Sequence, residues 1–187
     1  MIDITKKECW NNALMEAGMG YVFRQRALKL NKSVKTTKVI AVLVPMIPGA
    51  FVLAYEAEGI IYQIIMWAFG VLSIYLAIRS GVSLVYGHDD RLSYSYESAS
   101  HHASLSLKFE NLANMTSVDT EQAKIMYSEL IGEQRVRDQQ DDKVDITPKE
   151  ERKAMCYGLR QYSRSCAGCS KVPTSLSPKN CEVCGNF

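Results

Sequence analysis

Two uncharged apolar runs set the first constraint on this chain. Residues 39 to 55 read VIAVLVPMIPGAFVLAY, and residues 60 to 78 read IIYQIIMWAFGVLSIYLAI. Only Glu56, Ala57, Glu58 and Gly59 separate them. At about 1.5 Å of rise per residue, such runs make helices of about 26 and 28 Å. A bilayer core is about 30 Å thick, so each run is just long enough to cross it. The competing reading is a buried helical hairpin in a soluble protein. Buried helices of that kind usually keep some polar face, and here Gln63 is the one amide. The membrane reading is therefore preferred, with Pro45 and Pro48 kinking the first span and freeing backbone carbonyls there.

The charges around the runs predict an orientation. Residues 17 to 38 hold Arg24, Arg26, Lys29, Lys32, Lys35 and Lys38 and no acid, whereas the connecting loop holds two glutamates and no base. Basic flanks stay on the cytoplasmic side. Two spans then return the chain to that side, so both termini are expected in the cytoplasm and the loop around Glu56 and Glu58 outside. The polar, basic first 38 residues do not read as a cleaved signal peptide. The formal net charge of +2 gives no general signal for nucleic acid.

This topology governs the cysteines. Four of the six fall in two C-x2-C pairs, Cys166/Cys169 and Cys181/Cys184, separated by 11 residues. Stable disulfides are rare in a reducing compartment. Four thiolates in short pairs suit tetrahedral Zn²⁺, and a site closed by four protein ligands leaves no open position for catalysis at the metal. An iron–sulfur cluster is the other occupant such a set can take. Pro173 and Pro178 favour a turn-rich spacer, and Lys171, Lys179 and Arg164 can offset the charge of four thiolates. A tail of this size, lacking a core of its own, is expected to unfold without metal. Cys9 and Cys156 read as small buried apolar residues.

The remaining segments read as helices. Thr5 to Glu8 matches a capping box, and Trp10, Leu14, Ala17, Tyr21 and Leu28 share one helical face. This face either lies on the inner leaflet or packs on later helices; Gly18 and Gly20 favour packing. Leu105, Phe109 and Leu112 form one apolar stripe, and Leu92, Tyr96, Ala99 and Ala103 a weaker one. A helix over 118 to 137 carries Ala123, Met126, Leu130 and Ile131. RDQQDDKVD, Arg137 to Asp145, reads as a polar linker. Thr147, Pro148 and Glu150 then start a clean helix to about Arg160. Adjacent His101 and His102 point about 100° apart on a helix and lack a neighbouring ligand pattern, so they read as structural or surface residues. No nucleophile motif, phosphate loop or acid pair is recognisable, and an enzyme is not expected. The expected domains are a cytoplasmic amphipathic helix over 1–38, a hairpin over 39–85 with spans of about 39–55 and 60–78, a helical region with linker over 86–145, and a helix plus four-cysteine zinc module over 146–187. The fold class is mainly α, with a two-helix transmembrane hairpin and a small zinc-ribbon or knuckle module.

Gly70, Ser73, Ala77 and Ser80 line one face of the second span. Small residues let transmembrane helices approach closely, either within one hairpin or between subunits. With two spans per chain, a pore would need several copies.

Two spans, a very short outer loop, a basic N-terminal helix and a helical cytoplasmic extension resemble the SLATT group. These are bacterial two-transmembrane proteins associated with nucleotide-sensing conflict systems. The cysteine tail is similar to that of SLATT-like proteins of mobile elements described by the same CxxC-x11-CxxC spacing. The resemblance implies an oligomeric inner-membrane effector, with a nucleotide-signalling or other defence-locus partner, that permeabilises the membrane during antiviral defence. The alternative is a membrane-anchored adaptor whose zinc module, with Arg152, Lys153, Arg160 and Arg164, docks a protein or nucleic acid.

Overall fold

The computed structural model describes residues 2–54, 59–85, 87–115 and 120–187, with side chains described for 6–44, 46–47, 59–60, 62–82, 87–115 and 121–187. Five helices follow one another: α1 (Ile2–Ala54), α2 (Ile60–Val85), α3 (His88–Asn114), α4 (Thr120–Asp141) and α5 (Pro148–Gln161). There is no strand among the described residues. The Glu56 and Glu58 loop and residue 118 lie outside them.

Three boundaries differ from the sequence expectation. The amphipathic segment and the first apolar run are one 53-residue helix, which begins ahead of Thr5 and continues through positions 45 and 48. The polar stretch read as a linker is mostly the end of α4, which reaches Asp141. The chain divides into two compact units, Met1–Arg26 with Ser95–Phe187, and Ala27–Tyr94. The first is a head of helices closed by the cysteine segment; the second holds the later part of α1, the apolar α2 and the first turns of α3.

In the head, α1 crosses α5 at glycines. A Cβ on Gly18 would run into the carbonyl oxygen of Ala154, and one on Gly158 into that of Leu14. On the α3 side, a Cβ on Gly20 would lie 3.3 Å from the Ala99 oxygen. These contacts let the backbones approach so closely that Tyr21 and Tyr157 stack with ring centroids 4.2 Å apart. Above the crossing, Cys9, Ala13, Phe109, Leu112 and Ala113 form an apolar core, covered by Ala123, Met126, Tyr127, Leu130 and Ile131 of α4.

The face that α3 buries runs Ser95, Ser98, His102, Leu105, Phe109 and Leu112, a 3-4-3-4-3 spacing typical of one helix face. The weaker apolar stripe is therefore not the buried one: Tyr96 and Ala103 are exposed. Serines and a histidine are buried instead because α3 faces an ionic cluster. His102 Nδ1 lies 2.6 Å from Glu16 Oε2 on α1, and Nε2 lies 2.7 Å from Asp141 Oδ2 on α4. Asp141 also accepts from Ser98 Oγ at 2.9 Å and from Arg137 Nη2 at 2.8 Å. Gln134 Nε2 donates to the other oxygen of Glu16 at 2.8 Å. Glu97 stands 3.5 Å from Arg137 Nη1. Phe23 stacks on the imidazole, with centroids 5.5 Å apart.

With a carboxylate at each ring nitrogen, both nitrogens carry hydrogens and the ring is an imidazolium. Burial pushes the His102 pKa down, but hydrogen bonds to Asp141 and Glu16 outweigh it and lift the value to about 9. A histidine whose pKa rises on folding adds stability below its unfolded pKa, and that stability is lost as pH climbs through the folded value. The window here runs from about 6.5 to about 9, and a rise of this size corresponds to on the order of 3 kcal/mol. Thermal unfolding of the full chain in detergent is expected to show stability falling across that window, and His102→Phe is expected to remove most of the slope. Gly158→Val should lower unfolding free energy by about 1–3 kcal/mol in denaturant titration, because the α1–α5 crossing must widen.

Candidate metal centre

The cysteine segment is aimed by the two ends of α5. At its start, Thr147 accepts from the Glu150 amide while the Glu150 carboxylate accepts from the Thr147 amide, with Pro148 in the first turn. Glu150 is also forked by Arg26 of α1, at 2.7 Å to Nε and 2.6 Å to Nη2. These bonds hold its pKa down to about 2, with Arg26 the largest cause. At the far end, Ser163 takes a positive φ of 52°. The Ser163 amide donates to the Arg160 oxygen and the Arg164 amide to the Leu159 oxygen. This pair of bonds is a Schellman termination, with serine where glycine is usual. The chain is thereby turned back along α5.

Two turns follow. In the first, the Ser170 amide donates to the Cys166 oxygen at 2.8 Å; in the second, the Gly185 amide donates to the Cys181 oxygen at 2.9 Å. Each turn presents its two sulfurs to one side. Gly168 faces Val183 across the gap, where a Cβ would come within 2.7 Å of Val183 Cγ2. Gly185 lies over the Lys179 backbone, with no room for a Cβ.

The turns bring all four sulfurs within 4.8 Å of one another. Cys166 and Cys181 Sγ are 3.9 Å apart, and Cys169 and Cys184 Sγ are 3.8 Å apart. Tetrahedral metal–sulfur bonds of about 2.3 Å require sulfur separations of about 3.8 Å. The spacing thus fits a four-coordinate ion, and the separations are too long for S–S bonds. All six cysteines are free thiols. The amides of Cys184 and Val183 pull the Cys181 thiol down to about 7, whereas burial and hydrogen bonding to the other thiols push Cys184 well above the ordinary thiol value. The Gly168 amide donates to Cys166 Sγ at 3.3 Å.

The segment does not stand alone. Cys166 and Cys184 are buried with Leu14 of α1 and with Cys156 and Leu159 of α5, and Met155, Tyr162, Leu176 and Phe187 cover them. Cys156 Sγ lies 3.6 Å from the Ser175 oxygen of the spacer. Arg164 Nη1 donates to Asn11 Oδ1 of α1 at 2.9 Å, while Lys171 and Lys179 are exposed. The tail, expected to lack a core of its own, shares one with α1 and α5. Cys9 and Cys156 are both buried, and burial raises the Cys9 pKa to about 11.

Residues 6–187 match the family described as Mobilome CxxCx(11)CxxC protein. The chain belongs to this family. No curated protein and no solved structure matches the chain. The four cysteines that give the family its description are the four that the fold gathers into one cluster.

Sequence spacing finds these cysteines but not the Glu16–His102–Asp141 cluster. His102 lies 86 residues from one partner and 39 from the other, and no local pattern joins them. His101, its neighbour, is exposed.

Metal analysis of protein purified without chelator is expected to give about one tetrahedrally bound ion per chain. Cys166→Ser with Cys181→Ser should abolish it and lower the melting temperature, and chelator should reproduce that loss on the unmodified chain. Protein that is free of metal and equally stable with or without chelator would contradict the site.

Proposed function

We propose that the chain is an oligomeric inner-membrane protein whose apolar hairpin permeabilises the membrane, acting as a non-enzymatic effector in a bacterial mobile-element conflict or anti-phage system. In this reading the metal is a structural Zn²⁺, both termini are cytoplasmic, and residues 39–55 form the first of two spans. The likeness to SLATT proteins motivates the conflict-system role.

The observation that carries the reading is the surface of α2. Among the described residues, Tyr62–Val82 is the one stretch long and apolar enough to cross a membrane by length and composition, and only 6 % of its most apolar window is buried. Ile64, Trp67, Val71, Ile74 and Ile78 are each more than 60 % exposed. Water would penalise so much bare apolar surface, whereas lipid would not. Gly70, Ser73 and Ala77 are also exposed, and Ser80 is half-buried. A Cβ on Gly70 would meet nothing within 4 Å. That opening supports close approach by a helix of another copy, the contact that small residues permit in lipid.

The adaptor reading draws on exposed Arg160. Its other basic residues are engaged within the head: Arg164 with Asn11, Arg152 at 3.7 Å from Glu182, and Lys153 over the Tyr21 ring. The effector reading is accordingly preferred.

Induced expression in bacteria is expected to collapse the membrane potential, followed with a potential-sensitive dye. Gly70→Leu with Ala77→Leu should suppress the collapse at an unchanged level of inserted protein. Full depolarisation by that variant would exclude this face from the assembly. Function that survives replacement of both apolar runs by an unrelated hairpin would favour the adaptor.

A further inference from the structure

Arg79 is the one charged residue in the apolar stretch Tyr62–Val82. It follows the start of α2 at Ile60 by 19 residues, or about 28 Å of helix. That length is close to the roughly 30 Å of a bilayer core, so the guanidinium stands at the depth of lipid phosphates when α2 spans. An ionisable group at such a position ordinarily has a charged partner. The bond Arg79 makes is to the hydroxyl of Tyr75, a neutral group, 3.2 Å from Nη1. Among the described residues no carboxylate pairs with it.

The surroundings are built for an anion beside hydrocarbon. A groove of about 330 Å³ is lined by Ser33 and Thr37 of α1, Tyr75 and Arg79 of α2, and His88 of α3. Its other walls include Ile78 and Val82, which are 63 % and 46 % exposed. The Thr37 hydroxyl donates to the Ser33 oxygen and the Tyr75 oxygen accepts from Arg79, so the donors a ligand would meet include the Ser33 and Tyr75 hydroxyls and the rest of the Arg79 fork. Around the same level, Lys29, Lys32, Lys35 and Lys38 are all exposed on α1. The acids nearby are Asp89, which pairs with Lys38 at 3.1 Å, and Asp90, which lies against Gly87.

We propose that this groove binds the headgroup of an anionic phospholipid, with Arg79 forked onto the phosphate, the Ser33 hydroxyl donating to it, and the acyl chains lying along Ile78 and Val82. The proposal rests on the membrane reading above. The guanidinium fork matches a phosphate in two bonds at once. The lysine collar attracts the negative inner leaflet, whereas a zwitterionic lipid brings its own cation into surroundings that are already cationic.

The test uses the full chain placed in vesicles of mixed phosphatidylcholine and phosphatidylglycerol. Lipid retained on the protein is then identified by native mass spectrometry. The expected result is one tightly retained phosphatidylglycerol, preferred by about fivefold over phosphatidylcholine. Arg79→Gln should bring the preference near parity, and Lys143→Gln, an exposed residue outside both the groove and the lysine collar, should leave it. Wild-type protein that enters vesicles without a preference, or an Arg79→Gln variant that keeps it, overturns the headgroup site alone. Release of the lipid by millimolar glycerol phosphate would make the groove a soluble-phosphate site and overturn the lipid assignment. A chain that does not float with vesicles overturns the membrane reading, and the groove with it.

Discussion

Burying a protonated histidine between two carboxylates removes three charges from water, at an effective penalty of several kcal/mol per ion. The head accepts that penalty at its centre, and its helices are arranged around the result. Glu16 fixes the rotation of α1, His102 that of α3, and Asp141 that of α4. Arg137 balances the second carboxylate, so the buried members of the cluster are two acids and two bases, with exposed Glu97 beside Arg137. Any helix rotated by one residue would leave a buried ion without its partner, a fault worth about 3–5 kcal/mol in comparable pairs. Apolar side chains would tolerate such a slip far better. The ionic cluster therefore selects one register among many greasy alternatives, which matters in a head whose helices carry modest apolar stripes.

Two other devices depend on that register. The glycine crossing of α1 and α5 works only if Gly18 meets Ala154 and Gly158 meets Leu14. The cysteine turns then settle on Leu14, Cys156 and Leu159, beside the crossing. Metal ligation and helix packing are thus not separable layers. The sulfurs of Cys166 and Cys184 are part of the same buried surface as the leucines, and a bound ion would tie that surface to the α5 terminus at four points.

What was legible in the sequence follows the range of the interaction. The Thr147–Glu150 cap is made within four residues, and its pattern is visible as text. The thiolate set is made by two short motifs and a spacer, and it too was visible. The long apolar stripe Leu105–Phe109–Leu112 was readable because hydrophobicity is a property of each residue alone. The extension of that stripe through Ser95, Ser98 and His102 was not. Polar residues look solvent-facing until their partners are known, and those partners lie on other helices. For the same reason Arg137 and Asp141 looked like linker, although they are buried. The reading of α1 as two pieces failed for a different reason: a change from polar to apolar composition marks a change of surroundings and not a break in the helix.

The head is assembled from chain segments that flank the second unit in sequence, Met1–Arg26 before it and Ser95–Phe187 after it. On the ribosome, the buried face of early α1 is made long before the residues that cover it. Ala27–Tyr94 is translated in between, and the cysteines follow every element they pack against. For that interval the α1 face with Leu14, Val22 and Phe23 has no native partner. Closure of the thiolate cluster is then a proofreading event: it can occur only after the chain has been made through Cys184 and the helices beneath it have found their register.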